Sequence, residues 1–296
     1  MLKHNTKKYP HFLQIFYIGE ITMYKLIATD CDGTILDSQG YLPKEIIETF
    51  QKLHKKGIHI IVATGRSDIL AKDYLDELDI DCPVIGCNGA TLVNFYTGQN
   101  YFINAMAPKS LDSLYTLCDR HKTGVKIFTP DTCYASTKEL YLGGINLITV
   151  KYTKKMKYSI NYELAENMHS LLHLNNVIKA VVIDSNINTL LKIRDEINET
   201  IPGLKAVQSN WNCIDINAEN VSKGNALLDY ANMLGISPHD IIAFGDSEND
   251  VSMLKVAGLG VAVSNAADCA KEAADQITDT NDNFGVAKFL KSLYNI

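Results

Sequence analysis

The sequence has no C-x-x-C pair, no long apolar run and no excess of basic residues, and each absence removes a class of protein. Its seven cysteines are scattered and odd in number, which fits free thiols in the cytoplasm rather than a disulfide scaffold or a zinc ribbon. No stretch approaches the ~20 apolar residues that span a bilayer, so no membrane partner is expected. Lys plus Arg number 28 against 34 Asp plus Glu, a formal charge of −6, which argues against a chain that binds nucleic acid by replacing its counterions. Repeats, low-complexity tracts and Pro- or Ser-rich linkers are also missing. What remains is a globular composition, 46% hydrophobic over 296 residues, enough for one large domain or two ordinary ones.

Residues 1–22 stand apart from the rest. Lys3, Lys7 and Lys8 precede a short apolar stretch, Phe12 to Ile18, but Gln14 and Glu20 interrupt it and no small-x-small cleavage site follows. They read as an N-terminal extension ahead of a folded pattern that starts at Met23.

From Met23 short apolar runs alternate with amphipathic windows. Tyr24–Thr29 has strand length and ends in Asp30-Cys31-Asp32-Gly33-Thr34. Pro43 opens a helix in which Ile46, Ile47, Phe50 and Leu53 recur at helical spacing, and Gly57 stops it. Ile58–Ala63 ends at Thr64-Gly65-Arg66, and Pro83–Ile85 ends at Cys87-Asn88-Gly89. This alternation predicts an α/β fold, a Rossmann-like parallel sheet with helices on both faces. Between about Ala105 and Gln208 strands cluster and the rhythm breaks, which predicts an inserted α+β cap domain. The expected division is a core of residues 23–105 and 209–296 around a cap of 106–208.

Four polar clusters fall at predicted strand ends or beside a helix start, where open parallel sheets bind ligands. They are Asp30-x-Asp32-Gly33-Thr34, Thr64-Gly65-Arg66, Lys223-Gly224 and Gly245-Asp246-Ser247-Glu248-Asn249-Asp250. Singly, each has an ordinary explanation as a cap or a turn. A calcium loop starting at Asp30 is excluded, because its twelfth position would be Tyr41 and not a bidentate Glu.

Together, and in this order, these strings resemble the haloacid dehalogenase-like superfamily, in particular its Cof-type phosphatase branch. Cys87-Asn-Gly-Ala, Val221-Ser-Lys-Gly and the tail from Val263-Ser-Asn-Ala to Gly285-Val-Ala extend the likeness to the C-terminus. The resemblance implies a Mg²⁺-dependent phosphatase of small phosphorylated metabolites. Asp30 would be the nucleophile that forms an aspartyl-phosphate, and Asp32 the acid and base that serves the leaving alcohol and then water. Asp30 and Asp246, with the backbone carbonyl of Asp32, would hold the metal, and Asp250 would support them. Thr64, Gly65, Lys223 and Asn249 would hold the phosphoryl group. A phosphomutase of the same superfamily, or a non-catalytic ligand-binding regulator on the same scaffold, remains an alternative. Substrate recognition is expected from the cap, with Tyr134 and Tyr141 in the segment 131–146 as candidates. Oligomeric state is not legible.

Overall fold

The computed structural model describes residues 24–143, 156–210 and 212–296, with the Asn210 side chain also undescribed. The expectation for residues 1–22 and part of the 131–146 segment lie outside these ranges.

The larger sheet has the order β14-β13-β12-β1-β2-β3-β4-β5. Its central strand β1 (Leu26–Thr29) lies parallel between β2 (His59–Ala63) and β12 (Ile241–Gly245). Parallel pairing continues outward to β3 (Val84–Gly86) on one side, and to β13 (Leu259–Val263) and β14 (Gln276–Thr278) on the other. A hairpin of β4 (Thr91–Asn94) and β5 (Gln99–Ile103) closes one edge antiparallel. β1, β12 and β13 are buried along their whole length, as strands covered on both faces must be.

Helices form two rows. α1 (Lys44–Lys55) packs with α2 (Asp68–Leu78) and the C-terminal α8 (Gly285–Tyr294). α5 (Lys223–Met233), α6 (Val251–Val256) and α7 (Asp268–Ala273) form the second row. In α1 the apolar residues at helical spacing, Ile46, Phe50 and Leu53, are buried in the core and Ile47 packs against it.

The second sheet has the order β10-β11-β9-β6-β7-β8. Its strands are β6 (Val125–Phe128), β7 (Thr132–Ala135), β8 (Asn161–Leu164), β9 (Lys179–Ile183), β10 (Leu204–Asn210) and β11 (Cys213–Ala218). One face carries Val125, Ile127, Ala180, Val182, Ile214 and Ile216, all buried in a separate apolar cluster. That cluster is completed by α3 (Pro108–His121) and α4 (Ile187–Thr200). The alternate residues face the core domain, as a period of two requires.

Two expectations need correction. The cap does not end at residue 208, because β10 runs on to Asn210 and β11, Cys213–Ala218, pairs antiparallel with both β9 and β10, so both strands belong to the second sheet. The alternation of Ile214 and Ile216 with Asp215 and Asn217 gives β11 one apolar face and one polar face, which is what this sheet requires. Tyr134 pairs with Ile127, shares its parity and packs against the cap's own apolar cluster, so it faces away from the core.

Candidate active site

The strand order reverses around β1, and the carboxyl ends of β1, β2 and β12 surround the resulting crevice. Asp30 follows β1, and its amide still donates to Phe244 O of β12 (3.0 Å). Thr64 follows β2, and Asp246 follows β12. Gly33 turns the chain in the left-handed region, φ +82°, and a Cβ there would lie 2.7 Å from Asp246 Oδ2. Glycine is therefore required on two counts, backbone and close approach.

Lys223, the first residue of α5, is fully buried beneath this crevice. Its Nζ donates to Asp30 Oδ1 (2.6 Å) and Asp250 Oδ1 (2.6 Å). Asp250 Oδ2 accepts from the amides of Asp246 and Ser247, each at 3.0 Å. Asp250 thereby fixes both the lysine and the turn that presents Asp246. The Asp246 carboxylate accepts from the hydroxyls of Thr34 (3.1 Å) and Ser247 (3.0 Å).

Burial pushes the Asp30 carboxyl well above the ordinary range; Lys223 opposes this, while Asp250, Asp246 and Asp32 add to it. Burial, reinforced by the charge of Asp250, pushes Asp246 up to about 6. Burial by itself lowers the Lys223 pKa, but Asp250 and Asp30 hold it above its ordinary value. Oxygens of Asp30, Asp246 and Asp250 converge within 4.8 Å of one another. Three carboxylates against one ammonium leave a surplus of negative charge, and hard oxygen donors so grouped fit a small divalent cation. Lys223 and two backbone amides occupy Asp250, which lies below the cavity, whereas Asp30 and Asp246 line it.

The Asp32 carboxylate lies apart from that cluster. Arg66 grips it with both arms, Nε to Oδ2 at 2.7 Å and Nη2 to Oδ1 at 2.6 Å. Arg66 also lies over the Tyr74 ring, 5.5 Å from its centroid. Arg66 lies in the Thr64-Gly65-Arg66 turn that ends β2, and its contact with Asp32 is what gives it a role in the site.

Asp30, Asp32, Gly65, Arg66, Asp246 and Asn249 line one cavity of about 630 Å³ beneath the cap. Thr64 and Lys223 are fully buried and are not among its lining residues. The Thr64 hydroxyl oxygen accepts from the Arg66 amide (3.1 Å), so it shapes the turn. Asn249 lines the cavity, but its Nδ2 donates to Asn88 Oδ1 (2.9 Å). Asn88 in turn donates to Asp215 Oδ2 of β11 (2.8 Å). Lys179 of β9 completes this bridge from core to cap, donating to Gly65 O (2.8 Å) and Asp215 Oδ2 (2.5 Å). A Cβ at Gly65 would meet Asn88 Oδ1 at 2.9 Å, so this position also needs glycine.

The haloacid dehalogenase-like hydrolase family matches residues 27–290. The chain therefore belongs to that family, as a hydrolase of its phosphatase class. It is 28% identical over 269 residues to 5-amino-6-(5-phospho-D-ribitylamino)uracil phosphatase YcsE of Bacillus subtilis, covering 90% of this chain and 94% of that one. It is 27% identical over 270 residues to pyridoxal phosphate phosphatase YbhA of Escherichia coli, covering 90% and 98%. A solved haloacid dehalogenase-like hydrolase from B. subtilis superposes with a TM-score of 0.80 at 27% identity, covering 90% of this chain and 99% of that one. No helix among the described residues is long and apolar enough to cross a membrane.

Proposed function

We propose that the chain is a Mg²⁺-dependent phosphatase of small phosphorylated metabolites that works through an aspartyl-phosphate on Asp30. The observation that carries this reading is the separation of carboxylates in one cavity, Asp30 and Asp246 on one side and Asp32 held by Arg66 on the other. The two named relatives act on a phosphoribitylamino-uracil and on pyridoxal phosphate, which supports a small-metabolite substrate here.

Asp30 attacks phosphorus, an Asp30 O–P bond forms and the bond to the leaving alcohol breaks. Asp32 gives its proton to the departing oxygen, then removes one from the water that attacks the phosphoryl group and returns Asp30. An anionic substrate competes with Asp32 for Arg66, which releases the Asp32 carboxyl to carry that proton. Lys223 keeps the Asp30 carboxylate charged and aimed despite its burial. Held by Asp30, Asp246 and the Asp32 carbonyl, Mg²⁺ would supply the positive charge that screens carboxylate from phosphate. The cap covers the cavity, limits water and supplies contacts to the rest of the substrate.

Asp32→Asn should lower kcat about 10²- to 10⁴-fold on sugar phosphates, whose alkoxides need a proton. The loss on p-nitrophenyl phosphate should be smaller, since nitrophenolate leaves unaided. Equal losses on both would remove Asp32 from the acid role.

EDTA should abolish turnover and Mg²⁺ restore it, while Ca²⁺ should restore little because its larger, looser shell displaces the nucleophile. Asp246→Ala should raise the Mg²⁺ requirement or remove activity. Full activity in metal-stripped protein would refute the metal assignment. Hydrolysis of phosphorylated sugars, nucleotides and cofactors, assayed as a panel beside p-nitrophenyl phosphate, tests the reading as a whole. Release of phosphate without a bisphosphate activator separates hydrolysis from phosphomutase chemistry.

A further inference from the structure

The cap face that roofs the cavity contains a cation the proposed mechanism does not use. Lys126 of β6 lies in register with Val181 of β9, which lies in register with Asp215 of β11, so the three form one row across the sheet. All three line the same cavity as Asp30 and Asp246. Lys126 is only 5% exposed.

The other cations at the cavity have partners. Arg66 holds Asp32, and Lys223 below the floor holds Asp30. Asp215 is already filled by Lys179 and Asn88 on Oδ2, and by the Ser209 hydroxyl on Oδ1 at 2.8 Å. Lys126 has no side-chain hydrogen bond or ion pair among the described residues. Its ionisable neighbours are the thiols of Cys133 and Cys213, which burial pushes up to about 12 and about 11. They are neutral near pH 7 and cannot balance it. Burial also lowers the pKa of Lys126 itself, the direction expected of an ammonium without a counter-charge. Phe128, Val181, Ile183 and Tyr162 share the lining, and none of them carries a charge to balance the ammonium.

A buried charge facing a ligand cavity without a partner is costly unless the ligand supplies one. We propose that Lys126 pairs with a second anionic group of the substrate, so that the preferred substrates are phosphate monoesters carrying a distal carboxylate or second phosphate. This rests on the phosphatase reading and narrows its substrate class. Lys126 binds the far end of the molecule while the scissile phosphate lies against Asp30.

The test compares matched pairs. 6-Phosphogluconate against glucose 6-phosphate isolates a carboxylate, and fructose 1,6-bisphosphate against fructose 6-phosphate isolates a second phosphate. Wild-type enzyme should favour the doubly anionic member of at least one pair by roughly tenfold or more in kcat/KM, the scale of one charge-assisted hydrogen bond. The pair that shows the preference identifies which anion the site takes. Lys126→Met should bring that ratio towards one, and Lys126→Gln reads the same ratio should the methionine variant fail to fold. Enzyme that hydrolyses p-nitrophenyl phosphate yet favours neither doubly anionic member overturns the proposal. A preference that survives both substitutions also overturns it. Wild-type enzyme inert to p-nitrophenyl phosphate and to all four sugars would overturn the phosphatase reading itself, and this proposal with it.

Discussion

Asp30→Asn is expected to remove turnover, by about 10⁴-fold or more, while the protein stays folded. The substitution conserves volume and leaves an oxygen to accept from Lys223, so the 2.6 Å contact has a neutral successor. What it removes is the charge and nucleophilicity of the one carboxylate that both follows the central strand and meets Asp246. Circular dichroism and thermal melting should match the wild type within a few degrees, and p-nitrophenyl phosphate hydrolysis should fall to background. Activity within tenfold of wild type would eliminate the covalent route.

Lys223→Met should cost both stability and activity. Lys223 is fully buried and joins two buried carboxylates, so its removal leaves Asp30 and Asp250 without their counter-charge. Breaking a buried ion pair in this way costs about 3–5 kcal/mol. Some of that cost is relieved when a carboxyl takes up a proton, a change already favoured at Asp30, where burial raises the pKa. Urea denaturation in EDTA should show the loss, and Mg²⁺ should recover part of it by replacing the missing positive charge. Stability unchanged within about 1 kcal/mol would mean that the lysine is not what keeps these carboxylates buried.

The core and its site were more legible in the sequence than the cap. β1, β2 and β12 are short apolar runs that end in polar turns, and a parallel sheet gathers such ends in one place. The ends that carry Asp30, Thr64 and Asp246 could therefore be expected together, whereas Lys223, at a helix start, and Asp250 joined them through the family resemblance. Arg66 acquired a role only in three dimensions, because the bidentate contact to Asp32 spans 34 residues and has no local signature. Asn249 and Thr64 were expected over the phosphate, whereas the first donates to Asn88 and the second accepts from the Arg66 amide.

In the cap, β6 and β7 carry β-branched and aromatic residues of the kind that mark a strand in sequence. β8, Asn161–Leu164, carries no such signal, being an edge strand of partly or fully exposed residues. Lys126 and Lys179 were equally silent. A lysine in a strand reads as solvent-facing, and only the docking of the cap's polar face on the core reveals that both are buried.

The central claim is that phosphate passes through Asp30. The direct measurement is an acid quench during the first turnover with a slow substrate, followed by borohydride reduction and peptide mass spectrometry. An acyl phosphate is reduced to the alcohol, so an aspartyl-phosphate at position 30 appears as homoserine there, with Asp32 and Asp246 unmodified. The account predicts homoserine at position 30 in wild-type protein and none in Asp30→Asn. Reduction at another carboxylate, or none in a sample that is releasing phosphate, would contradict it.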